Sequence, residues 1–194
     1  MKTIETNLQT TAVFSDNGTK RYLLKKTWDE KKPSLTIIML APSEASGIEL
    51  DNTTLLVLNN ASRLGFGSVS IVNLFATLND FTLSKAEAED SINTNMIVNE
   101  ANASDTVIYA PGVGKVKNIA FQDRARQVLQ ALRPVAKKLK CITSRNGLAR
   151  MVHPLTPAVR EWVLTEMTIE EALQLTSGDS KKEKNATGKK KKNG

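Results

Sequence analysis

Four times in this chain an apolar run stops at a short polar cluster. Thr36-Ile-Ile-Met-Leu40 empties into Ala41-Pro-Ser-Glu-Ala-Ser-Gly47, and Ser70-Ile-Val72 into Asn73-Leu-Phe-Ala76. Thr106-Val-Ile-Tyr109 runs into Ala110-Pro-Gly-Val-Gly-Lys115, and Cys141-Ile-Thr143 into Ser144-Arg-Asn-Gly147. Short apolar runs bounded by turn residues read as strands buried on both faces, which parallel sheets produce. Helix signals fill the gaps between them. Asp51 can cap a helix over about 52–64, with Leu55, Leu58, Ala61 and Leu64 on one face and Gly65 as its stop. Ser84-Lys-Ala-Glu87 is a capping-box pattern opening a helix to about Ala103. A third helix begins near Lys117, carries Ile119, Ala120, Val128, Leu129 and Leu132, is kinked by Pro134 and ends in Lys137-Lys138.

Strands alternating with helices predict an α/β fold, a three-layer sandwich around a central, mostly parallel four-stranded sheet. Ahead of the first central strand, Thr11–Phe14 and Lys20–Leu24 flank Asn17-Gly18, a favoured hairpin pair, so an N-terminal β-hairpin is expected at one sheet edge. Beyond the fourth strand, Thr156-Pro157 suits a helix opening and predicts a helix carrying Val159, Trp162 and Val163. Thr168-Ile-Glu-Glu171 is a second capping box, opening a short last helix.

Charge divides the chain in two. The net charge is +7, but 176–194 hold seven lysines against two acids, so this stretch carries +5 and leaves +2 for the rest. A single α/β domain over 1–175 and a disordered lysine-rich tail over 176–194 are expected. The tail offers weak, salt-sensitive contact with nucleic acid, or serves only as a solubilising end. No apolar run nears the roughly 20 residues that span a bilayer, and the first residues lack a signal-peptide stretch, so a cytoplasmic protein without a membrane partner is expected. One cysteine and one histidine predict neither a disulfide nor a metal centre, and no motif predicts a cofactor. Cys141, inside a strand, reads as a small buried apolar residue.

In open α/β sheets, ligands bind outside the carboxyl ends of the strands. The residues there are therefore the candidates. Pro42 and Ser43 form a tight loop that can aim N–H groups and a hydroxyl at a ligand. Asp51 is a general-base candidate or simply a helix cap. Asn73 ends the second strand and needs either a local partner or a ligand. Phe75 stacks on a nucleobase or belongs to the core. Gly112, Gly114 and Lys115 form a glycine turn suited to phosphate, yet the turn lacks the spacing of a P-loop and of a dinucleotide fingerprint. Asn146 and His153 lie on the loop after the fourth strand, and His153 is a catalytic or hydrogen-bonding candidate.

Taken in order, Arg21-Tyr22, Trp28, Met39-Leu-Ala-Pro-Ser43, Asp51-Asn-Thr53, Arg63, Gly65, Val72-Asn-Leu-Phe-Ala76 and His153-Pro-Leu155 resemble the bacterial and phage domain-of-unknown-function family 1643, over roughly Lys20 to Trp162. A more distant resemblance is to the uracil-DNA glycosylase superfamily. There Ala41-Pro42-Ser43 would match the early catalytic loop, His153-Pro154-Leu155 the late loop, Phe75 the stacking aromatic and Asn73 a polar neighbour. The chain departs from family 1643 at Ala41, where Asn is usual, and at Pro111-Gly112, where Trp-Gly is common. An alanine cannot activate water or stabilise an oxocarbenium ion.

Two functions follow as expectations. The first is a binding protein for a nucleotide, nucleobase or nucleotide-derived small molecule, held at the strand ends; in a phage it would sequester a host signal. The second is a glycosylase-like hydrolase in which Asp51 or His153 takes the base role. The oligomeric state is left open by the sequence.

Overall fold

The computed structural model describes residues 1–43, 47–78, 89–143 and 151–177. The strands are β1 (Gln9–Phe14), β2 (Arg21–Thr27), β3 (Ser34–Met39), β4 (Ser68–Asn73), β5 (Thr106–Tyr109), β6 (Leu139–Thr143) and β7 (Val163–Glu166). The helices are α1 (Asn52–Arg63), α2 (Ser91–Ala103), α3 (Ile119–Ala131) and α4 (Ile169–Thr176). The fold is α/β, built on one open, mixed sheet of seven strands in the order β1-β2-β4-β3-β5-β6-β7. This corrects the four-stranded expectation. The four expected strands pair in parallel at the centre, and β2 and β7 flank them antiparallel.

Each central strand is apolar on both faces because each face is covered. One core joins Ile38, Val72, Val107 and Tyr109 to Ile97 of α2, Phe121 and Val128 of α3, and Ile169 of α4. The other joins Ile37, Met39, Val69 and Ile71 to Val57 and Ala61 of α1 and to Val152, Val159 and Trp162. Side chains alternate along a strand, so Asn73 follows Val69 and Ile71 onto the α1 face.

The hairpin forms as expected, but its loop is longer than a two-residue turn. The Asn17 carboxamide oxygen accepts from the Ser15 hydroxyl and from the Thr19 amide and hydroxyl, and Gly18 takes the positive φ (+70°). In α1 the cap is as expected: the Thr54 N–H donates to Asp51 at 2.6 Å. The buried stripe differs, however, running through Thr53, Val57, Asn60 and Ala61, while Leu55 is exposed. The Ser84–Glu87 capping box lies outside the described residues, and α2 starts at Ser91 with Asp90 as its cap. Asn118 caps α3, and Pro134 sits in a 3₁₀ turn, Arg133–Lys138, that continues from it.

The largest local error falls at Thr156-Pro157. Only a 3₁₀ turn forms there, Pro157–Val159, and Val163 belongs to strand β7. The run Val163-Leu-Thr-Glu166 includes two β-branched residues, Val163 and Thr165, and it completes the sheet beside β6. The Thr168–Glu171 capping box forms with both of its hydrogen bonds. Cys141 is buried and free.

Candidate functional site

The loop leaving β3 and the N-terminus of α1 meet at the carboxyl end of the sheet. Ser43, half-buried, has its hydroxyl on the Asp51 carboxylate. The Ser43 carbonyl accepts from Arg21 Nη1 at 3.0 Å. Burial alone pushes the Asp51 carboxyl up. The Ser43 hydroxyl, the Thr54 amide and side chain, and the Arg21 charge outweigh it and hold Asp51 below its ordinary value. Asp51 is therefore both the helix cap and an ionised group facing the strand ends.

Arg21 is the residue that the sequence reading passed over. It is 1% exposed, and a break in strand register brings it to this face. Val13 pairs with Leu23 but Phe14 pairs with Arg21, so Tyr22 is an extra residue on β2. Such a bulge re-aims the side chain beyond it. Regular alternation would have put Arg21 on the face of Leu23, away from α1. Burial lowers the guanidinium pKa and Asp51 opposes that shift. The signal in the sequence was an arginine directly ahead of the apolar stretch Tyr22-Leu-Leu24 at the start of β2.

Asn73 closes β4 and is 1% exposed. Its Nδ2 has no hydrogen-bond partner among the described residues. The backbone beneath it is fixed from several sides. Leu74 and Phe75 donate to the carbonyls of Met39 and Leu40, extending the β3 pairing. Asn93 Nδ2 donates to the carbonyls of Asn73 and Leu74, each at 3.0 Å, and Arg124 Nε donates to that of Leu74. This turn presents the Asn73 carboxamide from a rigid base.

His153 sits half-buried against the turn after β5. A Cβ added at Gly112 would come 3.3 Å from His153 Cβ, and Gly112 also takes a positive φ of +79°. The positive φ favours glycine there, and any larger residue would also crowd His153. The Leu155 amide donates to His153 Nδ1 at 3.2 Å, so the neutral ring carries its proton on Nε2. Burial lowers the imidazole pKa and Asp51 partly offsets this, which places the two residues within electrostatic reach.

Not every candidate joins this group. Pro42 lies beside Ser43 and is half-buried. Phe75 is fully buried in the core with Val72 and Tyr109, which leaves no ring face open for stacking. Gly114 and Lys115 are exposed and line a separate cavity of about 450 Å³ over residues 113–118. Asn146 lies outside the described residues. Among the described residues no group of three His, Cys, Asp or Glu side chains could hold a metal ion. None of their helices is long and apolar enough to cross a membrane.

Comparison with curated proteins and with solved structures returned no match. The sequence profile of the family described as "Protein of unknown function (DUF1643)" matches residues 21–155. That span begins at Arg21 and closes two residues beyond His153, so it contains the whole strand-end group. It covers well over half of the chain, and the chain belongs to the DUF1643 family.

Proposed function

We propose that the protein captures a nucleobase, nucleotide or nucleotide-derived small molecule at the carboxyl end of its sheet. One observation carries this reading: the buried Asn73 amide, whose donor has no partner among the described residues. Leaving a buried donor unpaired costs about 1–3 kcal/mol, and a ligand carbonyl or ring nitrogen relieves that cost. The loops that follow the neighbouring strands add a linked set: the Arg21 guanidinium on the Ser43 carbonyl, the Ser43 hydroxyl on the Asp51 carboxylate, and His153 within reach of the Asp51 charge.

Both candidate bases are engaged in ways that favour holding over chemistry. Asp51 is held below its ordinary pKa, against the effect of burial, by its hydrogen bonds and by Arg21. The His153 lone pair is taken by the Leu155 amide. Ala41, at the turn where a glycosylase of similar architecture would place its polar catalyst, brings no functional group. Phe75 plays no part in this reading, because its ring is core. The lysine-rich tail adds at most a non-specific attraction to nucleic acid.

The test is mass spectrometry of small molecules released by denaturing the purified protein, beside an Asn73→Ala variant prepared identically. A nucleobase-containing species that is recovered chemically unchanged, and depleted in the variant, supports capture. An altered product, or equal recovery from both proteins, overturns it.

A second reading is a glycosylase-like hydrolase within the uracil-DNA glycosylase superfamily. It is supported by the ionised Asp51 beside His153, since a fixed carboxylate stabilises a developing cation. It predicts base release from a nucleotide or from DNA that is lost in Asp51→Asn.

A further inference from the structure

The two outer edges of the sheet are built differently. β7 is four residues long, ends in Glu166 and is preceded by Arg160 and Glu161, features that discourage edge-to-edge pairing. β1 has none of them. Gln9-Thr-Thr-Ala-Val-Phe14 is six residues without charge or proline, and no described residue pairs with its outer side. The extra residue at this hairpin belongs to β2, so β1 itself is regular. Exposed apolar side chains stand just before it and at its end: Leu8 is 51% exposed and Phe14 41%. An open, neutral, β-branched edge is a template for another strand.

Symmetry selects the register. Antiparallel edge strands of two identical subunits are related by a two-fold axis normal to the sheet, which maps each face onto itself. Opposed residues must then share a face, so their numbers sum to an even value. A sum of 22 places Thr11 opposite Thr11, Thr10 opposite Ala12 and Gln9 opposite Val13. It also sets Leu8 against Phe14 at both ends, burying the two exposed apolar side chains together. A sum of 24 sets Leu8 against Asp16 instead. Over residues 5–17 of the first register no like charges meet: Glu5 faces Asn17, and Asp16 faces Thr6.

We propose that two copies of this chain pair through β1 about such an axis, with Thr11 opposite Thr11 of the partner subunit, joining two seven-stranded sheets into one. Thr11 is exposed, so it can be changed without disturbing either core. Sedimentation equilibrium at low salt should give twice the 21.3 kDa chain mass. Thr11→Lys and Thr11→Glu each set like charges face to face, and each should raise the dimer Kd by about fivefold or more. An equimolar mixture of the two variants should reassociate as a heterodimer. Circular dichroism melts check that both variants fold. In the unaltered protein, hydrogen exchange at Thr10–Val13 should slow as concentration rises. A monomer at all concentrations overturns the proposal. So does a dimer that both variants form as tightly as the parent, or an edge protected only when a different protein is added.

Discussion

Replacing Asn60 with alanine should loosen the segment that carries His153. Asn60 lies on the buried face of α1, and its carboxamide spans the gap to residues 160–162. Nδ2 donates to the carbonyls of Leu56 (2.9 Å) and Arg160 (3.0 Å), while Oδ1 accepts from the Trp162 amide (2.9 Å) and from Arg63 Nη2 (3.0 Å). Two of these four partners keep another bond after truncation: Leu56 within its helix, and Arg63 on the Trp162 carbonyl at 2.9 Å. The Trp162 amide is the serious loss, because that residue is buried and an unsatisfied buried donor costs about 1–3 kcal/mol. Arg160 is exposed, so water replaces much of its bond. With the lost packing, the expected destabilisation is about 2–4 kcal/mol. In a chain of this length that lowers Tm by about 4–16 °C. Urea unfolding followed by tryptophan fluorescence reads the change directly, since Trp162 lies at the broken contact. A loss below about 1 kcal/mol would show that α1 does not hold this segment in place.

Other consequences are sharper in sign than in size. The chain has one histidine, so its NMR titration belongs to His153 alone, and the midpoint should fall below the ordinary histidine value of about 6.5. Because the folded pKa is lowered, the unfolded chain binds the proton more readily. The corresponding stability is present above about pH 6.5 and declines as pH falls through that value toward the lowered folded pKa. Asp51→Asn removes a charge that raises this pKa and should move the midpoint lower still; an unchanged midpoint would place Asp51 out of reach. Gly67→Ala should destabilise severely, by about 3 kcal/mol or more. Its Cβ would overlap the Asp29 carbonyl oxygen, and the Gly67 carbonyl also receives the amides of Trp28 and Asp29. Near-native stability of that variant in denaturant melts would contradict the backbone packing described.

The central sheet was legible because burial on both faces leaves a continuous apolar run, as in Thr36–Leu40. Caps were legible because they are local chemistry: Asp51 and Thr168 each bond an amide three residues away. Val163–Glu166 was misread because four residues hold too little periodicity to outweigh Thr156-Pro157. The position of Leu55 was misread because the α1 stripe follows neighbours distant in sequence, among them the polar Asn60. At the strand ends, Ser43, Asp51, Asn73, Gly112 and His153 stood out as candidates because the sequence places them after strands. Arg21 was missed because it depends on a bulge, and a one-residue offset on β2 has no signature in a single sequence. Phe75 was left between stacking and core because residue type alone does not separate the two; its burial puts it in the core.

The most direct test of ligand capture at the strand ends uses that same single histidine. The His153 ring resonances are followed as nucleobases, nucleosides and nucleotides are added to the purified, ligand-stripped protein. The account predicts a saturable shift with at least one of these compounds, and its loss in Asn73→Ala while the fold is retained. An unmoved His153 signal across all three classes, in a protein shown to be folded, would contradict it.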